Sequence, residues 1–483
     1  MKYNVIRAAI LAALSIFLSS ASCRQDPDPT PKPTPPPSDP DLAAKMSLRD
    51  DYMSIYYYWV DEASPSWSSV PILNTDIYDY FDALLYKKDR WSWMTDKEYY
   101  LSSETGVQSG TYGGSLSQPL EYYDDYDIHV RYVYPGSPFA NAGVTRGWTL
   151  THLGGVPVMD LIIEGTFSAE YAKSPQTFTF KDIKGESHTF NLSAATSLQT
   201  SPSLLVKTFD GDDFPGLNAK IGYFHYLSFK ANFLNSITSA MQKLKNENVS
   251  ALILDLRYNG GGDARASQLL VDCLAPDKAA GSVYVTRTHN KYLTKYDYSE
   301  VVGESDPSMV CRLGIERLYV ITGEGSASAS EMIINGLRPF MDVKMVGDTT
   351  YGKPNGMYVL MYPGSDADYE AYEKDDYSKL EWIFLPICFY NMNGRGEQIP
   401  DSGFVPDNYR PDDLYHDFDA SEDLIRACLS HYVTGTYPAL PQKSKAEVKS
   451  GPALRRIPLA EEQTDPHYGT YTVKNPEITK KLR

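Results

Sequence analysis

Apolar and polar positions follow two different periods along the chain, and the period identifies the elements. Residues 251–256 form an apolar run interrupted by Asp255, as expected of a strand buried on both faces, and the mainly apolar segments 318–322 and 343–346 are predicted to be the next strands. A further strand is predicted at 221–229. Between the four strands, apolar residues recur at helical spacing, namely Phe233, Leu234, Ile237, Met241 and Leu244, then Ala266, Leu269, Leu270, Cys273 and Leu274, then the segment 328–337. Strands that alternate with helices predict an α/β domain at 201–435 with a mainly parallel sheet and right-handed crossovers.

The pattern upstream of this domain is different. Residues 50–60 and 77–86 predict short helices rich in Tyr, Leu and Ile, so 44–105 is predicted to be a small N-terminal helical cap. From residue 111 onward, short alternating segments are separated by turn residues, which predicts a β-rich domain at 106–200.

The first 22 residues have the pattern of a secretory signal. Lys2 and Arg7 precede an apolar run over 8–18, which is too short for a lasting membrane span. Cys23 follows three small residues, and this resembles a bacterial lipoprotein cleavage box. We therefore expect Cys23 to be lipidated and the protein to be exported and anchored in the cell envelope, on the outer membrane, facing the periplasm or the surface. Plain secretion is the alternative.

Two segments lack the pattern of a folded domain. Eight prolines lie between residues 24 and 40, so 23–43 is predicted to be an extended tether that holds the folded part away from the membrane. Residues 436–483 combine basic residues with prolines and are predicted to be a weakly ordered tail, to which no function is assigned.

Composition excludes some classes of function. The formal net charge of −17 provides no basic surplus to neutralise phosphates, so nucleic acid is not an expected partner. The five cysteines and eight histidines show no metal-binding spacing, and neither a metal nor a cofactor is predicted. Apart from Cys23, the cysteines are compatible with two disulfides or with buried free thiols.

Candidate chemistry is concentrated in the small-residue turn 325–331, between an apolar run and a helical segment. Ser328 lies in this turn, and Lys353 follows 25 residues later in a glycine turn. A serine hydroxyl becomes a good nucleophile when a base removes its proton, and a lysine can be that base only if it is uncharged. Burial against apolar side chains such as Tyr351 and Met357 would lower the lysine pKa. For Ser328 alone, a helix N-cap is the alternative.

A glycine loop at 260–262 follows the strand predicted at 251–256. In parallel sheets, ligands bind beyond the carboxyl ends of the strands, and glycines let backbone amides approach a substrate closely. The amides of Gly261 or Gly262, together with that of Ala329, are therefore predicted to form an oxyanion hole.

Several motifs in order resemble peptidase family S41, the C-terminal processing (tail-specific) proteases. They are Gly222-Tyr223-Phe224, Asp255-Leu256-Arg257 with Asn259 and Gly261-Gly262, residues 326–331, Val346-Gly347-Asp348, Thr350-Tyr351-Gly352-Lys353, and residues 403–407. The resemblance implies a ClpP/crotonase-like β-β-α superhelix with Ser328 as nucleophile and Lys353 as base. It implies supporting roles for Glu331, which could also be a capping-box acid, and for Thr350. Many family members have a glutamine where this chain has Met357.

The β-rich domain carries a second resemblance. Residues 135–144, 146–150 and 154–158 are similar in order to a PDZ domain of the bacterial protease kind. Such a domain binds a peptide as an added strand and holds its terminal carboxylate with backbone amides. The corresponding loop would be Tyr112, Gly113, Gly114, Ser115 and Leu116. A structural β module that binds no peptide is the alternative.

The leading hypothesis is a serine endopeptidase with a Ser-Lys dyad that cleaves polypeptides, recognises their C-terminal tails and contacts the membrane only through a lipid anchor. The alternative is a catalytically weak or inactive envelope protein of the same fold that binds peptide or glycan. The missing glutamine, the tyrosine-rich front segment and the tether support that alternative. A crotonase-like acyl-CoA enzyme would share the fold but conflicts with the secretion signal. The sequence leaves the oligomeric state open.

Overall fold

The computed structural model describes residues 39–117 and 127–440 and the backbone of 470–473. The chain divides into two compact units, Met1–Pro40 and Asp41–Arg483, and the description below concerns the second. The predicted signal peptide, Cys23 and the rest of the predicted tether up to residue 38 lie outside the described residues, and the last two tether residues, 42 and 43, belong to the first helix. Within the described part of the chain, no helix has the length and apolar character needed to cross a membrane.

A six-stranded main sheet forms the centre of the molecule. Its strands, in spatial order, are Ser203–Phe209, Ile221–Tyr226, Ala251–Asp255, Arg317–Thr322, Asp342–Gly347 and Asn408–Tyr409. The first strand is antiparallel to its neighbour, and all other pairs are parallel. The predicted mainly parallel sheet is therefore confirmed, with strand ends shifted by a few residues.

Helices connect and cover these strands. They are Leu234–Asn246, Ala264–Leu274, Ala329–Leu337 and, after the last strand, Asp423–Thr434. In Leu234–Asn246 the buried side chains include Ile237, Met241 and Leu244, which belong to the apolar face seen in the sequence. One face of the main sheet packs on the first three helices, and the opposite face packs on Asp423–Thr434. The sheet is therefore covered on both sides.

A second sheet of six strands lies against the same core. In spatial order it contains Gly261–Asp263, Thr470–Val473, Asn355–Tyr358, Ile387–Asn393, Val283–His289 and Tyr298–Val301. Thr470–Val473 pairs in parallel with the strand on each side of it. This strand belongs to the segment expected to be a weakly ordered tail. Its β-branched and aromatic residues favour a strand, but four residues are too few to show a period.

A third sheet lies within the predicted β-rich domain, which is called the third-sheet domain below. It contains Gly114–Leu116, Ile128–Val133, Thr149–Leu153, Val156–Pro157, Gln176–Lys181 and Ser187–Leu192, accompanied by the short helices Pro138–Asn141, Val158–Ile163 and Phe167–Tyr171. This region has its own hydrophobic core, in which Phe139, Phe178 and Phe180 are fully buried.

The N-terminal helices do not have a separate core. They are Leu42–Ser47, Leu48–Met53, Ser54–Tyr56, Val60–Trp67, Ile77–Leu84 and Lys97–Thr105. They pack with a three-stranded sheet formed by Trp93–Asp96, Trp382–Leu385 and Leu360–Tyr362. Their buried side chains belong to the same hydrophobic cluster as those of the main sheet, and the Tyr52 hydroxyl donates to the Met361 carbonyl at 2.6 Å.

The smaller elements are Val107–Gln108 paired with Leu198–Gln199, the helix Asp366–Tyr372, and the single turns Ala231–Phe233, Asp277–Ala279 and Thr294–Tyr296. The four described cysteines, Cys273, Cys311, Cys388 and Cys428, are free and buried. Of the two possibilities left by the sequence, the structure therefore has buried thiols.

Candidate active site

Ser328 occupies an unusual backbone conformation at the start of the helix Ala329–Leu337. Its φ and ψ are +56° and −107°, and its side chain is fully buried. An ordinary N-cap residue lies in the β region, and a non-glycine residue held at positive φ costs about 1–3 kcal/mol. Its Oγ makes no hydrogen bond among the described residues. Ser328 is the N-cap residue of this helix and forms a capping-box pattern with Glu331, but its positive φ is not what an ordinary cap requires.

The Glu331 carboxylate joins the serine turn (residues 325–328) to the lysine turn (residues 349–354). Its Oε2 accepts the backbone N–H of Ser328 at 2.8 Å and that of Lys353 at 2.9 Å. Its Oε1 accepts the Thr350 hydroxyl at 2.6 Å and the Gly352 N–H at 2.8 Å. The backbone nitrogens of Ser328 and Lys353 are therefore at most 5.7 Å apart, the sum of their distances to the shared oxygen.

Burial also affects Glu331 itself. The side chain is fully buried, and this burial raises the pKa of Glu331, although the hydrogen bonds from Thr350, Lys353 and Ser328 counteract it. The bond from the Ser328 N–H is the one expected of a capping-box acid. The predicted supporting residues Glu331 and Thr350 thus lie together with the proposed dyad.

Lys353 is 1% exposed. Burial lowers the pKa of Lys353 to about 7, against the opposing effect of the Asp89 and Glu331 carboxylates. Its Nζ lies 3.7 Å from Sδ of Met357, the residue expected to form part of an apolar wall. A lysine with this pKa is uncharged in a large fraction of molecules at neutral pH, so it can accept a proton there.

The lysine turn is held in place by the segment 401–404. The Phe404 N–H donates to Thr350 Oγ1 at 2.7 Å, and the Thr350 N–H donates to the Phe404 carbonyl at 3.1 Å. Gly352 has φ +84°, and a Cβ there would lie 2.3 Å from the Asp401 carbonyl oxygen, so the position requires glycine. The Tyr351 N–H donates to the Ser326 carbonyl at 3.0 Å, which adds a second connection to the serine turn.

The N-terminal region contributes two residues that sequence reasoning did not assign to the site. Arg90 Nη2 donates to the carbonyls of Gly352 at 3.0 Å and Asp401 at 2.7 Å, and its guanidinium lies 5.0 Å from the centre of the Tyr351 ring. The carboxylate of Asp89 influences the pKa of Lys353. No local motif connects residues 89–90 with Lys353, because the contact depends on tertiary packing.

The glycine loop (residues 256–262) lies directly against the serine turn. The Asn259 carbonyl accepts the Ala327 N–H at 3.2 Å and the Ser330 hydroxyl at 2.9 Å, and the Ser326 hydroxyl donates to the Leu256 carbonyl at 2.8 Å. The loop expected to face Ser328 therefore shares hydrogen bonds with its turn.

The predicted oxyanion-hole amides differ in their present partners. The Gly261 N–H donates to Asn259 Oδ1 at 2.9 Å, so it is engaged within the loop. Gly262 has φ +136°, and a Cβ there would lie 2.0 Å from the Phe229 carbonyl oxygen. The Ala329 N–H immediately follows Ser328 in the first helical turn, where N–H groups have no partner within the helix.

A buried charge cluster supports the other end of the glycine loop. Arg257 Nη1 lies 2.6 Å from the Asp412 carboxylate and 2.5 Å from that of Glu422. Arg146, from the third-sheet domain, lies 2.7 Å from Asp412 and donates to the Tyr258 hydroxyl at 2.9 Å. Burial disfavours the charged carboxylate, but Arg146 and Arg257 hold the pKa of Asp412 below its usual range. The third-sheet domain is thus connected to the glycine loop through Tyr258.

A cleft of about 350 Å³ borders the glycine loop. Its walls come from three parts of the chain, and they include Tyr100 of the N-terminal region, Tyr132 and Tyr134 of the third sheet, and Gly260 and Gly261.

The predicted peptide-binding loop, 112–116, lies in the third-sheet domain. Tyr112 is buried, with its ring 5.6 Å from that of Phe139. Gly114–Leu116 is the first strand of the sheet, and Ile128–Val133 is its described neighbour. No described hydrogen bond joins this loop to Ser328 or Lys353.

Comparison with known proteins finds similarity in the same part of the chain. The model of peptidase family S41 matches residues 220–371, which include the glycine loop and both turns. Carboxyl-terminal-processing peptidase 2, chloroplastic, of Arabidopsis thaliana is 30% identical over 135 residues, which is 28% of this chain and 24% of that protein. The carboxyl-terminal-processing protease of Synechocystis sp. is 27% identical over 177 residues, which is 35% of this chain and 38% of that protein.

These curated relatives are matched over less than half of their own length. A crystal structure of a putative S41 protease from Bacteroides fragilis matches with a TM-score of 0.62 at 20% identity, covering 79% of this chain and 96% of that one. At this level of identity the likeness concerns the fold. The match of residues 220–371 to the family model and the curated relatives lead to one conclusion: this part of the chain is a peptidase S41 domain.

Proposed function

We propose that the protein is a serine endopeptidase in which Ser328 is the nucleophile and Lys353 is the general base. The single observation that carries this proposal is the Glu331 carboxylate, which binds the backbone N–H groups of both residues through one oxygen. This contact supports the proposal because it keeps the backbone nitrogens of a serine in a strained conformation and of a buried lysine with a pKa of about 7 within 5.7 Å of each other.

The chemistry proceeds in two halves. Neutral Lys353 takes the proton from Ser328 Oγ as this oxygen attacks the carbonyl carbon of the scissile peptide bond. The Ala329 and Gly262 N–H groups are proposed to stabilise the oxyanion, joined by the Gly261 N–H if Asn259 releases it. The Lys353 ammonium then protonates the departing amine, which leaves an ester on Ser328. In the second half Lys353 deprotonates a water that hydrolyses this ester, and the proton returns to Ser328.

Met357 fits this role for Lys353. A thioether is a weak hydrogen-bond acceptor, so it does little to stabilise the ammonium form. An amide oxygen at the same place would stabilise the charged form and raise the pKa of Lys353. The absence of the usual glutamine is therefore compatible with a neutral base.

We extend the proposal to the remainder of the chain. The main and second sheets, with their helices, are assigned to a ClpP/crotonase-like β-β-α superhelix, and the third-sheet domain to a PDZ-like module. This module would capture the C-terminal tails of polypeptide substrates by adding them beside the edge strand Gly114–Leu116. The Arg146–Tyr258 hydrogen bond supports a connection from this module to the glycine loop.

The location of the protein is a separate proposal. The sequence of residues 1–40 supports export and a lipid anchor on Cys23 in the cell envelope. A Cys23→Ser variant is expected to move from the membrane fraction to the soluble fraction. If it stays with the membrane, the anchor is not at Cys23.

Cleavage of an unfolded polypeptide such as casein tests the activity. Ser328→Ala and Lys353→Ala are each expected to abolish cleavage while the protein stays folded. Ser308→Ala and Lys374→Ala change exposed residues and serve as controls that retain activity. Undiminished cleavage in either site variant would overturn the dyad, and a wild type that binds casein without cleaving it would favour a binding protein. Comparing protein C-termini in cells with wild type or Ser328→Ala would then identify natural substrates.

A further inference from the structure

The strand Thr470–Val473 fills a slot that is one strand wide. On one side it pairs in parallel with Gly261–Asp263, with Tyr471 opposite Gly262 and Thr472 opposite Asp263. On the other side it pairs in parallel with Asn355–Tyr358, with Thr472 opposite Met357. The two neighbouring strands are the walls of the slot, and in the described second sheet the segment Thr470–Val473 is what joins them.

Both walls of the slot belong to the candidate active site. Gly261–Asp263 continues the glycine loop that lies against the serine turn. Asn355–Tyr358 begins two residues after Lys353, and its Met357 contacts the Lys353 amine at 3.7 Å. An extended backbone in this slot therefore passes between the glycine loop, which carries the predicted oxyanion-hole amides, and Lys353, the proposed base.

The dimensions of the slot suit an extended peptide. Neighbouring strands are about 4.8 Å apart, so the two walls stand about 10 Å apart with one strand between them. With the slot empty, each wall would present an unpaired strand edge, which is a template for another extended chain. Main-chain hydrogen bonds would provide most of the affinity, so occupants of different sequence can compete.

We propose that this slot binds the backbone of polypeptide substrates and that the segment 470–473 of the same chain is an intramolecular occupant that competes with them. The proposal rests on the endopeptidase function for its consequence, but the occupancy itself can be measured without catalysis. The full burial of Ser328 and Lys353 is what an occupied site would show.

The strength of the competition follows from the covalent connection between the segment 470–473 and its own binding site. A segment linked to its own site has an effective concentration on the order of 1 mM. If the free peptide binds with a Kd of about 0.2 mM, the occupant raises the KM for an external substrate about sixfold. Substrate binding then requires displacement of the segment, and kcat is unaffected.

Hydrogen exchange in full-length Ser328→Ala protein tests the occupancy. Thr472→Pro removes a backbone N–H from the centre of the strand, and Val448→Pro is the control outside it. We expect the Gly262 amide and amides in 355–358 to exchange about sixfold faster in Thr472→Pro than in the control, whereas the Gly261 and Asp263 amides donate to Asn259 Oδ1 and to the Phe229 carbonyl and should not change. A synthetic peptide with the sequence of residues 466–477 is expected to restore protection, whereas a scrambled peptide does not. Equal exchange in the two variants would overturn the proposal.

Thermal unfolding distinguishes an occupant from a permanent part of the fold. Thr472→Pro is expected to unfold at nearly the same temperature as Val448→Pro. If its melting temperature falls by more than 10 °C and the peptide does not restore protection, the strand is structural and the proposal fails.

Casein cleavage with Ser328 intact tests the competition. Thr472→Pro is expected to lower KM about sixfold at unchanged kcat, and the 466–477 peptide to reverse this change. An unchanged KM would reject the competition. If neither protein cleaves casein, the endopeptidase proposal fails, whereas the exchange experiment still decides whether the slot has this occupant.

Discussion

Replacing Lys353 by methionine is expected to stabilise the protein while it abolishes catalysis. Methionine is similar in length to lysine, is uncharged, and would lie against Met357 in the same buried pocket. The native lysine is unfavourable for folding because burial lowers its pKa from 10.5 to about 7. At neutral pH the folded protein must therefore either bury an ammonium group or release its proton, and the methionine variant does neither.

The size of the effect follows from the two pKa values. One pKa unit corresponds to about 1.4 kcal/mol, so charged Lys353 costs about 5 kcal/mol below pH 7, where it is protonated in both the folded and unfolded states. Between pH 7 and 10.5 the unfolded state binds more protons than the folded state, so wild-type stability rises with pH in this window. The advantage of Lys353→Met should be about 4 kcal/mol at pH 7 and about 2 kcal/mol at pH 9, and should vanish above pH 10.5.

Urea unfolding of wild type and Lys353→Met at pH 6, 7, 9 and 10.5 measures this difference. Lys374→Met, at an exposed position, is the control and should show no comparable dependence on pH. An advantage that stays constant from pH 6 to 10.5 would refute the reasoning, because it would mean that Lys353 titrates alike in the folded and unfolded states. A variant less stable than wild type at pH 7 would show that the amine makes favourable contacts that outweigh its burial.

Three further predictions concern the same site. Ser328→Gly should be more stable to urea than Ser328→Ala by about 1 kcal/mol, because glycine adopts the positive φ without strain; equal stability would mean that the strain is absent. Glu331→Gln should lose about 2–4 kcal/mol of unfolding free energy and most casein cleavage, because the amide retains one of the two acceptor oxygens that bind four donors; cleavage at the wild-type rate would show that the tie between the turns is dispensable. In wild type, kcat/KM should rise with pH, with a midpoint at a pKa of about 7. Met357→Gln should shift this midpoint to higher pH by about one unit, because an amide oxygen favours the ammonium form; an unshifted midpoint would mean that residue 357 does not act on the base.

The sequence predicts those parts of the molecule whose causes are local. The alternation of buried strands and amphipathic helices from residue 201 to 435 determines the parallel sheet, because each apolar run must be covered on both faces. Ser328 and Lys353 follow from motifs in which small residues and glycines permit tight turns. Both kinds of signal lie within about ten residues of the feature that they predict.

The remaining features depend on contacts between distant segments. Glu331 is recognisable as a helix-cap acid, but its bonds to Lys353 and Gly352 require the two turns to meet in space. Arg90 lies more than 260 residues from the carbonyl that it holds in the lysine turn, and no periodicity reports such a pair. The pairing of Thr470–Val473 is equally invisible, because four residues of strand propensity do not specify a partner.

The shared hydrophobic core of the N-terminal helices has a practical consequence for how this protein can be divided. A recombinant fragment that starts at residue 201 would contain every motif of the catalytic domain, yet it would expose the apolar surface that Tyr52, Phe81 and their neighbours cover. It would also lack Arg90, which holds the carbonyls of Gly352 and Asp401. The smallest fragment that folds and retains the geometry of the site should therefore begin near residue 41, well before the segment in which the family motifs are found.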